Sequence, residues 1–372
     1  MNNYQKRRAA LYTWMARNSI AAVVFEDTEG RRDSSIRYFS GYPADALLIM
    51  TVTGHAILCP WDENLALRTA QVDVIVPYTE FGRHPVLAVQ GIVERISIPA
   101  HSRIEIPGNT PYPLFLQYVA ALLDYDVLCR NGGVTDEVNQ MRAIKDAEEL
   151  ATIEKACSIT DSIIDLIEKQ ARAGKIKKET DAAFLIEKEA RAARAEGTGF
   201  ETLAAGPSRS FSIHSFPPYS AEPFPGEGLS ILDFGIKYDG YTSDVTLTIA
   251  QGQLRPAQEK LLTLVEKAYN AALVYYKPGT PTREAAFVVD EIFRKAKKSM
   301  PHALGHGIGL EAHEGPAIRS REDNNWVYEA GMVVTLEPGL YNPKHGGCRL
   351  ENDILITETG NRVLTSSRII RI

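Results

Sequence analysis

The sequence predicts an α/β chain of two domains, an α/β domain over residues 1–134 and an α+β domain over residues 135–372. Three observations carry this. A length of 372 residues exceeds the size at which one hydrophobic core usually stops growing. The first third alternates short β-rich runs with helical ones. The remainder holds a weak internal repeat, a pair of helices followed by a Gly-rich β segment.

In chain order, Leu11, Trp14 and Met15 stand at i, i+3, i+4 and predict an amphipathic first helix. Lys6, Arg7 and Arg8 before it faintly imitate a secretion signal, but Arg17 cuts the apolar run and no small-residue cleavage site follows, so a cytoplasmic location is expected. Ala21–Phe25, Ala46–Val52, His55–Leu58 and Val72–Val76 read as strands and Pro113–Leu123 as a helix. The polar, Gly-rich stretch Gly132–Glu137 places the boundary near residue 135. From Asp146 a long helix is expected, with Leu150, Ile153, Cys157, Ile163, Ile164 and Ile167 on its apolar face and an end near Gly174. Ile153–Ala156 is echoed by Val265–Ala268, and Asp181–Ile186 by Glu284–Val289, which predicts two αα-β halves sharing one sheet.

Composition narrows the function. With 44% hydrophobic and 24% charged residues, the chain is neither disordered, collagenous nor coiled-coil. A formal net charge of -6 argues against a nucleic-acid partner, which would need a basic face to displace counterions. The stretch Ala44–Cys59 is interrupted by Asp45, threonines and His55, so no membrane span is expected. Cys59, Cys129, Cys157 and Cys348 are widely separated and read as buried or inert thiols in a reducing compartment.

Leu229–Ile236 and Tyr241–Ile249 are β-like runs joined through Asp239–Gly240, a strong two-residue hairpin signal. With that loop Tyr238 faces Tyr241, Asp233 faces Thr246 and Gly235 faces Asp244. Asp233 and Asp244 then emerge on one face as diagonal neighbours, roughly 7 to 8 Å apart. Two such carboxylates repel, and a cation between them relieves the repulsion.

Five of the eight histidines, His214, His302, His306, His313 and His345, follow residue 213. Three lie in Pro301–Pro316 with glycines on both sides of His306, and a bend is required there to bring His306 and His313 to one face. Val333–Gly339 puts Glu337 at the end of an apolar strand and Arg349–Ile356 puts Glu351 at the start of another. Such glutamates are seldom buried without a partner; a salt bridge from Arg349 to Glu351 is one candidate and a metal the other.

Taken together, Leu232–Gly235, Tyr241–Thr246, Gly305–Leu310 with His313 and Glu314, Leu336–Gly339 and Arg349–Glu351 resemble, in order, the five ligand segments of the pita-bread metallopeptidases. The branch resembled is that of Xaa-Pro dipeptidases (prolidases) and aminopeptidase P. Ile36–Gly41 is similar to a first-domain segment of these peptidases, and Met141–Lys145 to the R-x-I-K segment that opens their catalytic domain. The fold class implied is a creatinase/prolidase-like α/β domain followed by a pita-bread catalytic domain with a pseudo-twofold αα-β repeat. Leu247, where many relatives carry Arg, and the Ile213 that precedes His214 in place of Pro are departures that bear on substrate preference.

The resemblance implies two divalent metal ions, Mn foremost with Co, Fe or Zn compatible, held by Asp233, Asp244, His306, Glu337 and Glu351. It implies that Asp244 and Glu351 bridge the ions, that Asp233 chelates one, and that His306 and Glu337 hold the other. Glu337, His214 and His313 are the implied catalytic groups, and His302 and Arg349 the implied substrate-binding ones. Arg349 has a second reading as a support for Glu351. The expected activity is cleavage of the Xaa-Pro bond at the N-terminus of short proline-containing peptides, by a homodimer. A metal-free creatinase-like hydrolase and a non-enzymatic pita-bread binding module are the rivals, and the intact ligand set counts against both.

Overall fold

The computed structural model describes residues 1–372 and divides into two units, Met1–Met141 and Arg142–Ile372. The boundary expected near residue 135 falls at the start of helix Val134–Ala143, and the units part near its far end.

In the first unit the helix Asn3–Arg17 buries Leu11 and Met15, as their spacing predicts. The sheet runs in the spatial order Val74–Ile75, Ala56–Pro60, Ala46–Thr51, Ile20–Asp27, Arg103–Glu105, Asp126–Leu128. Its central strand Ile20–Asp27 pairs antiparallel with Ala46–Thr51 and parallel with Arg103–Glu105. Helices Pro85–Arg95 and Tyr112–Ala121 place Val89, Ile92, Val93 and Tyr118 in a core with Val24, Leu47 and Ile49. The Tyr118 hydroxyl donates to buried Glu26 at 3.0 Å, which satisfies both polar groups inside that core.

The second unit begins with helix Ala147–Arg172, whose start is fixed by a reciprocal cap between Asp146 and Glu149. Ile153, Ala156, Cys157, Thr160, Ile163, Ile164 and Ile167 recur every three or four residues and are buried. Helix Glu179–Ala192 follows, and the pair is repeated as Pro256–Leu273 and Thr282–Lys295. Each pair covers its own sheet. Ile163, Ile167 and Ile186 pack with Leu232, Phe234 and Leu247, whereas Leu262, Val265, Ala286 and Val289 pack with Val334, Leu336 and Ile354.

One expectation is corrected here. The two αα-β halves do not share a single sheet: one holds four strands, in the order Ile369–Arg371, Val245–Gln251, Gly228–Phe234, Leu203–Ala205, and the other five. A single bridge, Thr246 to Glu351, links them. The physical reason is that each helix pair buries the apolar face of its own strands, which leaves the polar seam between the sheets free for other work.

All four cysteines are free; Cys59, Cys157 and Cys348 are buried and Cys129 is half-buried. No helix is long and apolar enough to cross a membrane.

Candidate metal centre

The site grows from the hairpin. Asp239 and Gly240 both take the left-handed conformation, with φ of 45° and 85°, as a two-residue turn requires. The register follows from the turn: Tyr238 faces Tyr241, Phe234 faces Val245 and Asp233 faces Thr246. Gly235 lies where the strand passes closest to its partner, since a Cβ there would stand 1.9 Å from the Ser243 carbonyl oxygen. Asp233 and Asp244 therefore face one pocket from neighbouring strands.

Glu351 enters from the opposite sheet at the bridging residue, and Glu337 follows strand Val333–Leu336, its N–H donating to the Leu304 carbonyl at 2.9 Å. His306 lies on strand Gly305–Gly307, where pairing with Glu314–Ile318 slips register between His306 and Gly307. That irregularity supplies the expected bend, and the rings of His306 and His313 meet at 4.2 Å between centroids.

One cavity of about 380 Å³ is lined by Asp233, Asp244, His306, Glu337 and Glu351, and also by His214, His302, His313 and Arg349. All nine residues singled out in the sequence thus reach the same pocket. Donor atoms of Asp244, His306 and Glu351 lie within 4.8 Å of one another. His306 Nε2 is 3.5 Å from Glu337 Oε1 and 3.8 Å from Asp244 Oδ2. His306 Nδ1 donates to the Gly307 carbonyl at 3.1 Å, which leaves the Nε2 lone pair facing the carboxylates, the tautomer a metal ligand needs.

Charge in the pocket is unbalanced. Burial and the neighbouring Glu351 and Asp233 push the Asp244 carboxyl well above its usual range. Burial and Glu351 do the same to Glu337, and burial with Asp233 lifts Glu351 to about 7. Burial and the adjacent His313 hold His306 down at about 4. Crowded acids and a neutral imidazole respond in this way, and a cation among them would relieve the repulsion.

Arg349 is the one cation built into the pocket wall. It is 2% exposed and pairs with Asp233, not with Glu351, which corrects the simple salt bridge considered from sequence. It supports Glu351 indirectly: Arg349 Nε donates to Thr246 Oγ1 at 2.9 Å, and Thr246 donates to Glu351 Oε2 at 2.6 Å. Its Nη1 donates to the Tyr341 hydroxyl at 2.7 Å and to the Ile213 carbonyl, beside His214, at 3.2 Å. His302 Nδ1 donates to the Ala303 carbonyl at 2.8 Å, so Nε2 accepts from Tyr341 at 3.0 Å. Burial and the Arg349 charge hold His302 down at about 4.

The donor set fits divalent cations. Asp233 Oδ1 is buried with no hydrogen-bond partner, an acceptor that calls for a positive ligand. Four carboxylates and one imidazole form a hard, oxygen-rich set suited to such ions. Sequence reasoning missed Thr246 and Tyr341, which offer no spacing signal. It also missed Asp353, whose Oδ2 accepts the Asp244 N–H at 3.0 Å. Asp353 stands two positions from Glu351, on the same strand face, and that alternation was the available clue.

Comparison with known proteins agrees with this geometry. Residues 151–358 match the profile of metallopeptidase family M24, and residues 7–144 that of the creatinase/prolidase N-terminal domain. A Xaa-Pro dipeptidase from Pyrococcus horikoshii is 35% identical over 360 residues, covering 95% of each chain. The structure of an X-Pro aminopeptidase from Thermotoga maritima superposes with a TM-score of 0.85 at 26% identity, covering 98% of this chain and 99% of that one. A prolidase from Pyrococcus furiosus superposes with a TM-score of 0.80 at 28% identity, covering 96% and 99%.

Proposed function

Because the chain belongs to metallopeptidase family M24, we propose that it hydrolyses the Xaa-Pro bond at the N-terminus of dipeptides or short peptides. Asp233, Asp244, His306, Glu337 and Glu351 would hold two divalent ions, manganese foremost, with Co, Fe or Zn also compatible with this oxygen-rich set. The observation that carries the reading is four acids and an imidazole lining one pocket whose own charges repel. When bound, such ions supply Lewis acidity, which makes water a usable nucleophile near neutral pH and offsets the negative charge of the pocket.

The chain's side chains supply the rest. Glu337 takes the proton of the attacking water and returns it to the leaving nitrogen. For a bond to proline that nitrogen is tertiary, and it must be protonated to depart. His214 and His313 hold the carbonyl oxygen as it gains charge. His302, kept neutral, and Arg349 form the proline side. Arg349 shapes that side from behind, since its donors are committed to Asp233, Tyr341, Thr246 and the Ile213 carbonyl. A cytoplasmic homodimer completes the reading.

Metal analysis and a peptide panel test it. Two divalent ions per chain, with turnover of Xaa-Pro dipeptides in preference to Xaa-Ala controls, is the expected result. Turnover of Xaa-Pro-Yaa tripeptides alone would move the assignment to the aminopeptidase type, in keeping with the Thermotoga maritima neighbour. Hydrolysis that survives complete chelation would sink the metal-dependent reading.

A further inference from the structure

Arg142 and Lys145 belong to the segment Met141–Lys145, and neither lines the pocket. Both are buried, at 7% and 1% side-chain exposure, and both approach Glu314, itself 4% exposed. Arg142 Nη2 is ion-paired with Glu314 Oε1, and its Nη1 reaches Glu311 Oε1 at 3.3 Å. Lys145 Nζ lies 3.7 Å from Glu314 Oε2. The two cations outweigh the effect of burial and hold the Glu314 carboxyl below the usual glutamate range.

The same carboxylate closes a turn. Glu314 Oε1 accepts the Glu311 N–H at 3.0 Å, while the Gly309 N–H donates to the Glu311 carbonyl at 3.1 Å. The Gly309 carbonyl accepts in turn from the Thr242 N–H at 2.8 Å, which ties the loop to the hairpin. A Cβ at position 309 would stand 2.6 Å from Glu314 Oε2, so a larger residue there would displace that carboxylate. The turn is built around that carboxylate. His313 lies within it, next to Glu314, and its imidazole rests on the ring of His306. Its orientation therefore follows the backbone that carries it.

We infer that Glu314 is a positioning residue for the hydrolysis, and that Arg142 and Lys145 act through it to hold His313 at the pocket. The inference rests on the peptidase reading of that pocket. It gives the cationic segment ahead of the first long helix a part in catalysis without any contact with substrate.

A double-mutant cycle on the metal-loaded full chain tests it. Glu314→Gln lowers kcat about tenfold, with KM and metal content within about twofold, because a misplaced group weakens only the transition-state contact. In a His313→Ala background the same substitution has no further effect. An equal loss in both backgrounds overturns the inference, since that is how a general structural defect behaves. Should Glu314→Gln fail to fold, Arg142→Met/Glu314→Gln leaves no uncompensated guanidinium and carries the same cycle. A readout without turnover separates this from the reading it rests on. With diamagnetic zinc as the load, the ring C–H resonance of His313 should be displaced by the His306 ring current in the wild type and should move to the value of a mobile imidazole in Glu314→Gln. An unmoved resonance overturns the inference, whether or not Xaa-Pro peptides are cleaved.

Discussion

Glu314 and Glu337 are largely enclosed glutamates of the same unit, yet the Glu314 carboxyl sits below the usual range and the Glu337 carboxyl well above it. Burial raises both. Around Glu314 it is outweighed by Arg142 and Lys145, whereas around Glu337 it is reinforced by Glu351 and Asp233, with Arg349 as the opposing charge. The difference teaches that burial alone does not mark a metal-binding acid. A buried carboxylate whose partners are already present is architecture, and one whose partners are other acids is a site awaiting a ligand.

The largest test of this contrast is metal removal. Chelation should abolish peptide hydrolysis, a loss of about a thousandfold or more, and addition of Mn should restore it. It should also lower the melting temperature, because ions that bind only the folded pocket stabilise it by mass action. Equal melting curves with and without chelator would break the contrast.

Next come two carboxylate removals with opposite expected effects on stability. Glu314→Gln removes the acid that two buried cations share and should destabilise the protein by about 3–5 kcal/mol. Asp244→Asn relieves repulsion and should raise the stability of metal-free protein while eliminating activity of the loaded form. Urea titration of both variants checks the pair, and destabilisation of similar size in both would erase the distinction.

The pH dependence sharpens it further. In metal-free protein Glu351 is lifted from its ordinary 4.5 to about 7, so between those values the folded state keeps a proton the unfolded state has released. Stability then falls as pH rises through that window, by on the order of 3 kcal/mol. Glu314 runs the other way. Its depressed pKa contributes stability above the ordinary glutamate value, which is lost as pH falls. Urea midpoints from about pH 2 to 8 should show the falling limb in the wild type, and Glu314→Gln should lose only the decline below the ordinary glutamate value.

The smallest effect expected is at the pocket wall. His302→Ala should raise KM for Xaa-Pro substrates about tenfold, near 1.4 kcal/mol, with little change in metal content. A fall in bound metal instead would place His302 among the ligands.

Much of this was legible in the linear chain. The hairpin register follows from Asp239–Gly240 and from side-chain alternation, so Asp233 and Asp244 could be set on one face by counting. The long helix could be read from its cap and apolar spacing. Arg349 could not be paired from sequence, because Asp233 lies 116 positions away and Glu351 only two, yet the distant acid is its partner. Nor could Lys145 and Arg142 be matched to Glu314, 172 positions from the arginine.

Local periodicity, turn chemistry and the identity of the donors were determined by the sequence itself, since each depends on neighbours that the covalent chain keeps within a few residues. Which donors meet, which acids find a cation and which are left repelling one another were decided by the packing of two helix pairs on two sheets. Burial and Coulomb interactions depend on distance in space, and only the folded chain sets that distance.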